Sequence, residues 1–207
     1  MKKSILSIVT ILSLSVGLYA QSDIDRAEAE MKSIDVNMDE NRFYMGFGVS
    51  YMSLLNDTTK EEFSTTAQMV FAGYQYGKYI AIEGRYTINL GSVSYESGTT
   101  GAVDMADYPT DFSNMAIYVK PIYPFDNISI YALIGYGEIG LTNVPIGDVD
   151  RSQSSFQWGG GIAYMIGDSF EAFVDYLFLY DGTGFDYLAM QSDQSATQIT
   201  LGLSYKF

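Results

Sequence analysis

The chain has 207 residues, with 11 Lys and Arg against 25 Asp and Glu (formal charge −14), 18 Tyr, 12 Phe, and neither Cys nor His. The missing Cys excludes disulfides, thiolate nucleophiles and zinc–thiolate sites, and the missing His excludes imidazole bases, imidazole metal ligands and every triad built on them. The negative balance repels phosphate backbones, so no nucleic acid is expected as a partner, while an aromatic content of 15% sets the chain apart from disordered acidic tails.

In chain order, Met1-Lys2-Lys3 is a short basic start to an apolar run from Ile5 to Tyr19, and Gly17-Leu18-Tyr19-Ala20 leads into the polar Gln21. This layout predicts a secretory signal peptide over 1–20, cut after Ala20, although Leu18 departs from the small-x-small pattern. The alternative is a single membrane anchor, for which a run of about 15 residues is short against the ~20 that a spanning helix needs. Residues 21–42 are polar and acidic, with Asp23, Asp25, Glu28, Glu30, Asp35, Asp39 and Glu40 against Arg26, Lys32 and Arg42. They read as a mobile N-terminal extension; a periplasmic contact or a plug is the other reading.

From Phe43 the hydrophobic period becomes two. Phe43, Met45, Phe47, Val49 and Tyr51 alternate with Tyr44, Gly46, Gly48 and Ser50. In the third such stretch Ile80, Ile82, Tyr86, Ile88 and Leu90 share one face, with Glu83, Arg85, Thr87 and Asn89 on the other. The last runs Ile199, Leu201, Leu203, Tyr205, Phe207. Alternation of this kind predicts strands, here over 43–54, 64–76, 78–91, 111–123, 128–141, 154–166, 169–181 and 194–207. Strands two and five are ambiguous in phase, so the face that Glu138 takes stays open. The fold class is all-β.

The connections decide which kind. Gly77-Lys78, Pro124-Phe125-Asp126-Asn127 and Gly167-Asp168 are tight-turn residues at hairpin length. The connections 55–63, 92–110, 142–153 and 182–193 are longer and polar, so short and long alternate strictly. That alternation, strands longer than the ~9–11 residues that a tilted bilayer crossing needs, and an apolar face predict an eight-stranded antiparallel transmembrane up-and-down β-barrel over 43–207. Lipid offers the backbone no hydrogen bonds, so the sheet must close and face outward with apolar side chains. Rings such as Phe43 and Tyr51, or Phe170 and Tyr180, bracket strands one and seven on that face.

On Gly73-Tyr74-Gln75-Tyr76, Ala81-Ile82-Glu83-Gly84-Arg85-Tyr86, Ile134-Gly135-Tyr136-Gly137, Gly159-Gly160-Gly161-Ile162-Ala163-Tyr164 and Leu201-Gly202-Leu203-Ser204-Tyr205-Lys206-Phe207, the chain resembles the small OmpA-like outer-membrane β-barrels. The resemblance covers about 43–207. It implies a bacterial outer-membrane location, outer-membrane lipid and lipopolysaccharide as surroundings, and recognition of Tyr205 and the terminal Phe207 by the barrel-assembly machinery. No peptidoglycan-binding domain follows Phe207, so that family role is not carried over. Enzymatic barrels of related kinds (acyltransferases, deacylases, phospholipases, proteases) rely on a catalytic His, so no enzyme is expected.

The polar face carries Glu83, Arg85, Lys120, Glu171, Asp175 and Lys206. A buried charge without a partner is costly, which predicts a salt-bridged network of these six filling a narrow lumen; a gated ion path is the sharper reading. Glu171 and Asp175 lie four apart on one face, roughly 13 Å at ~3.3 Å per residue, too far for paired glycosidase carboxylates. The outer loops are acidic at Asp57, Glu61, Glu62, Asp104, Asp107, Asp148, Asp150, Asp186 and Asp193. Solvation accounts for such charge; divalent cations shared with lipopolysaccharide, or a cationic partner, are alternatives. Asp148-Val149-Asp150 has too few ligands for a calcium loop, and neither metal nor cofactor is expected. Trp158 reads as a lipid-facing or rim aromatic. The expected role is structural, in envelope integrity or surface contact and adhesion with an unidentified extracellular ligand. A small low-conductance channel is second, and an exported soluble barrel with an apolar ligand inside is third.

Overall fold

A computed structural model describes residues 41–57, 60–97, 101–104, 111–142, 151–183 and 193–207. The expected signal peptide, residues 21–40 of the extension, and Asp107, Asp148, Asp150 and Asp186 lie outside the described residues.

Eight long strands follow from the alternation: β1 (Arg42–Asn56), β2 (Glu62–Tyr76), β3 (Ile80–Asn89), β6 (Asp111–Phe125), β7 (Ile128–Thr142), β8 (Arg151–Ile166), β9 (Phe170–Gly182) and β10 (Gln194–Lys206). Each pairs antiparallel with its neighbour in sequence. β10 returns to β1 from Tyr44↔Lys206 to Asn56↔Gln194, so the sheet closes on itself. The described residues hold no helix.

Three tight turns join one end of the barrel. Gly77 and Gly167 stand there at φ 61° and 70°, and Asp126 at φ 49°, a left-handed backbone that Gly adopts freely and Asp tolerates. At the other end the strands run further than their periodicity predicts, β1 to Asn56 and β2 from Glu62. β3 is shorter than predicted, because Lys78 and Tyr79 belong to the turn.

The segment expected as a plain loop over 92–110 contains two short strands, β4 (Ser94–Ser97) and β5 (Gly101–Asp104). β2 outruns β3, whose pairing with it stops at Ala67↔Asn89, and β4 takes the vacant edge at Glu62↔Glu96, Phe63↔Tyr95 and Ser64↔Ser94.

The two faces of the wall have opposite chemistry. Outside, Phe47, Val70, Met115, Ile117, Ile162 and Leu201 are among the large apolar side chains left exposed. Inside lie charged and polar groups such as Glu83, Arg85, Lys120, Asp175 and Gln157. This arrangement overturns the soluble-barrel alternative, which requires a polar outside and an apolar inside. The phases left open also resolve: β2 turns Phe63, Thr65, Ala67, Met69 and Phe71 inward, and β7 turns Tyr131, Leu133, Ile139 and Leu141 inward. Glu138 faces outward, accepting a bond from Ser154 Oγ at 3.5 Å. Tyr180 corrects an expectation. The β9–β10 register shifts at Ala196/Thr197, and the extra residue rotates Tyr180 into the lumen, away from the face it was to share with Phe170.

The interior is narrow enough that rings fill the room left by facing glycines. A Cβ at Gly135 would meet Tyr118 Cδ1 at 2.7 Å, and one at Gly161 would meet the Tyr131 hydroxyl at 2.6 Å. These are register partners on adjacent strands, so glycine lets each inward Tyr lie over the next strand and reach the one beyond it, at Gln157 and Asp175.

Candidate functional site in the lumen

The site is built by strand parity. Glu83 and Arg85 are two apart on β3, so both point inward, and Arg85 Nε sits 2.5 Å from Glu83 Oε1. The guanidinium also spans the lumen to β9, where Nη2 lies 2.8 Å from Asp175 Oδ2 as a charge contact. From β6, Lys120 Nζ donates to Glu83 Oε2 at 3.1 Å. The hydroxyls of Tyr44 (β1) and Tyr131 (β7) donate to Glu83 Oε2 at 2.7 Å and to Asp175 Oδ2 at 3.0 Å. Five strands therefore meet at two carboxylates and two cations.

Aromatic faces surround the cations. Arg85 lies 5.8 Å from the Phe71 ring centre, 5.7 Å from Tyr118 and 5.9 Å from Phe173, and Lys120 stands 4.1 Å from Tyr131. Side-chain exposure of Glu83 and Asp175 is 0% and of Arg85 1%, so solvent does little to screen them. Such groups hold one another in place, because removal of one leaves a buried charge uncompensated.

The six predicted residues separate into two groups. Glu83, Arg85, Lys120 and Asp175 converge. Lys206 and Glu171 form a second pair, 2.7 Å apart, at the tight-turn mouth. Tyr205 and Phe207 point outward, ring to ring at 5.0 Å, and the Phe207 amide donates to the Phe43 carbonyl at 2.9 Å where the last strand meets the first. Sequence reasoning missed Tyr44 and Tyr131. The signal was available in strand one, where Tyr44 alternates with the outward Phe43 and Met45.

Toward the long-loop end a neutral layer follows. Gln157 donates to Asn114 Oδ1 at 2.8 Å and accepts from the Tyr118 hydroxyl, while Gln198 donates to Thr200 and Ser50 at 3.0 and 3.1 Å. Beyond it the lumen becomes apolar, with Met52, Leu54, Phe63, Phe112, Ile139 and Leu179. Arg85 Nη1, Asp175 Oδ1 and Gln198 Oε1 keep no hydrogen-bond partner among the described residues. No three acidic side chains among these residues converge as metal ligands.

This arrangement binds strands together across the lumen. Both carboxylates are engaged by cations and hydroxyls, and Glu171 sits in a separate pair from Asp175.

No curated protein matches the sequence. Among solved structures the chain resembles Ail, the attachment invasion locus protein of Yersinia pestis, in complex with the heparin analogue sucrose octasulfate. Identity is 17% over 81% of this chain and 99% of that one, with a TM-score of 0.54. Neisserial surface protein A is 18% identical over 80% and 97%, with a TM-score of 0.52. OprG of Pseudomonas aeruginosa is 10% identical over 81% and 96%, with a TM-score of 0.52. At these identities the likeness shows the fold. The sequence signature described as outer membrane protein beta-barrel domain matches residues 10–207. With that match over a closed eight-stranded wall, apolar outside and charged within, the chain belongs to the outer membrane protein beta-barrel family and is a protein of the bacterial outer membrane.

Proposed function

We propose that the protein is a closed barrel with a structural role in the envelope and a role in contact at the cell surface, not a solute pore and not an enzyme. The observation that carries this is the Arg85 strut. It crosses the lumen from β3 to β9 and is braced by Lys120 and two tyrosine hydroxyls. Eight strands enclose only enough room for side chains to fill. Glu83, Arg85, Lys120 and Asp175 serve as that filling, and Lys206 with Glu171 seals the periplasmic mouth.

The segments joining the strands outside, 57–61, 90–110, 143–150 and 183–193, carry nine acidic residues against Lys60 as the one basic residue. Such a surface repels polyanions of the kind bound by the Yersinia pestis neighbour, and fits lipopolysaccharide only through shared divalent cations. The N-terminal segment acts as a cleaved export signal followed by an acidic periplasmic extension. Tyr205 and Phe207 mark the last strand for barrel assembly.

A small channel is the second reading, favoured by the unpartnered Arg85 Nη1, Asp175 Oδ1 and Gln198 Oε1, which offer water a polar path. Planar-bilayer recording of the purified mature chain separates the two. The expected outcome is no steady current from the wild type. Reproducible small conductances that change in Arg85→Ala would place the channel first.

A further inference from the structure

The polar lumen ends, on the extracellular side, beneath a piece of the chain that is not part of the barrel wall. Val93 is 0% exposed although it belongs to the connection between β3 and β6. The Tyr95 ring packs on Phe63 at 4.9 Å, and its hydroxyl donates to Glu61 at 2.8 Å. Thr65 Oγ1 donates to the Ser92 carbonyl at 3.1 Å. Under Val93 and Tyr95 come the apolar Met52, Leu54, Phe63 and Phe112, with the buried Thr65 and Gln194 among them, and below these the remaining amides and the charges. Val93 and Tyr95 thus lay apolar side chains over the extracellular end of the lumen beside β2.

The backbone pairing of this piece with the barrel wall is short. β4 holds β2 through three register pairs, whereas β3 holds it through ten. Of the three, Glu62 lies directly opposite Glu96, and like charges facing each other across two strands are destabilising. The chain enters the piece through Gly91, at φ +88°, a left-handed backbone that glycine adopts freely, with Asn89 Nδ2 donating to its carbonyl at 2.7 Å. Nothing in the eight-stranded wall depends on β4, since the ring closes through β2–β3 and β1–β2 without it.

We propose that residues 92–96 are a detachable stopper in the extracellular mouth, and that the opposed carboxylates of Glu62 and Glu96 limit its hold on β2. When it lifts, the upper lumen meets the outside while the Arg85 strut stays in place. Opening therefore exposes the upper lumen whether or not the space below conducts, so this inference stands or falls apart from the closed-barrel reading.

The absence of native Cys gives the test a clean background. Met52→Cys, under the stopper, serves as reporter in vesicle-embedded protein treated from outside with a membrane-impermeant maleimide and read by peptide mass; Val93→Cys is a second reporter should the first not fold. Slow labelling is expected. Oxidising the register partners in a Ser64→Cys/Ser94→Cys variant should suppress it at least tenfold, and reductant should restore it. Glu96→Gln, on an exposed side chain, should slow labelling about 1.5- to 5-fold, as removal of ~0.2–1 kcal/mol of cross-strand repulsion implies. Labelling that ignores the Ser64–Ser94 crosslink would overturn the proposal, because access would then run by another route. So would a reporter that stays unlabelled for days even with Tyr95→Ala, because residues 92–96 would then be fixed wall.

Discussion

Arg85 is the residue on which the interior turns. Its guanidinium compensates Glu83 at 2.5 Å and Asp175 at 2.8 Å, and Lys120 can reach only the first of these. Arg85→Ala leaves the buried Asp175 with one tyrosine hydroxyl. Breaking a buried pair by removing one partner costs about 3–5 kcal/mol. The variant should lose that much in urea unfolding from detergent or lipid, and lose its heat-modifiable gel band at lower temperature. Lys206→Ala breaks a pair at the mouth, where the side chains are 13% and 7% exposed, and water can reach the carboxylate left behind. Its cost should be clearly smaller. An Arg85→Ala barrel that melts with the wild type would remove the strut from the account of the fold. That these charges face inward was legible in the sequence, since parity on a strand is arithmetic. Which cation meets which carboxylate was not, because Arg85 and Asp175 are 90 positions apart and their meeting depends on how the ring of strands closes.

At the scale of elements, two features escaped a period-two reading for definite reasons. β4 has four residues in a stretch rich in Gly and Ser, too short to show alternation, and it exists because β2 leaves an edge uncovered beyond Ala67. Tyr180 moved faces because one irregular step in the β9–β10 ladder reverses everything beyond it. The eight long strands were legible as extended stretches of ten residues or more, although the phases of β2 and β7 were not. Their interior packing makes a prediction with opposite signs on the two faces. Gly135→Ala drives a methyl into the Ile117 carbonyl oxygen and to 2.7 Å from the Tyr118 ring, so it should destabilise by about 1–3 kcal/mol. Gly84 looks outward with only Ala72 O within 4 Å, and Gly84→Ala should stabilise its strand by ~0.5–1 kcal/mol. Equal and small effects at both sites in the same unfolding assay would mean that the rings do not occupy the glycine-lined space.

For the molecule as a whole, the wall must match the solvent around it, and that solvent changes with height. Leu201 is 68% exposed midway along β10, flanked by the outward Val49 and Val174. Its register partners are apolar, so a cation placed there must thin the bilayer or draw water to itself. Thr66 also faces outward, but it lies near the extracellular end of β2, beside Tyr51, where a ring at the interface marks the approach of water. A charged residue on the lipid face of a barrel costs about 2–4 kcal/mol at the midplane and ~0–1 near an interface. Leu201→Arg should therefore fall in the first range and Thr66→Arg in the second, measured as reversible unfolding from phospholipid vesicles. In a detergent micelle, which deforms around a charge, the difference should shrink. Equal costs at both positions in vesicles would mean that the apolar belt does not sit across the bilayer at the height that its side chains imply.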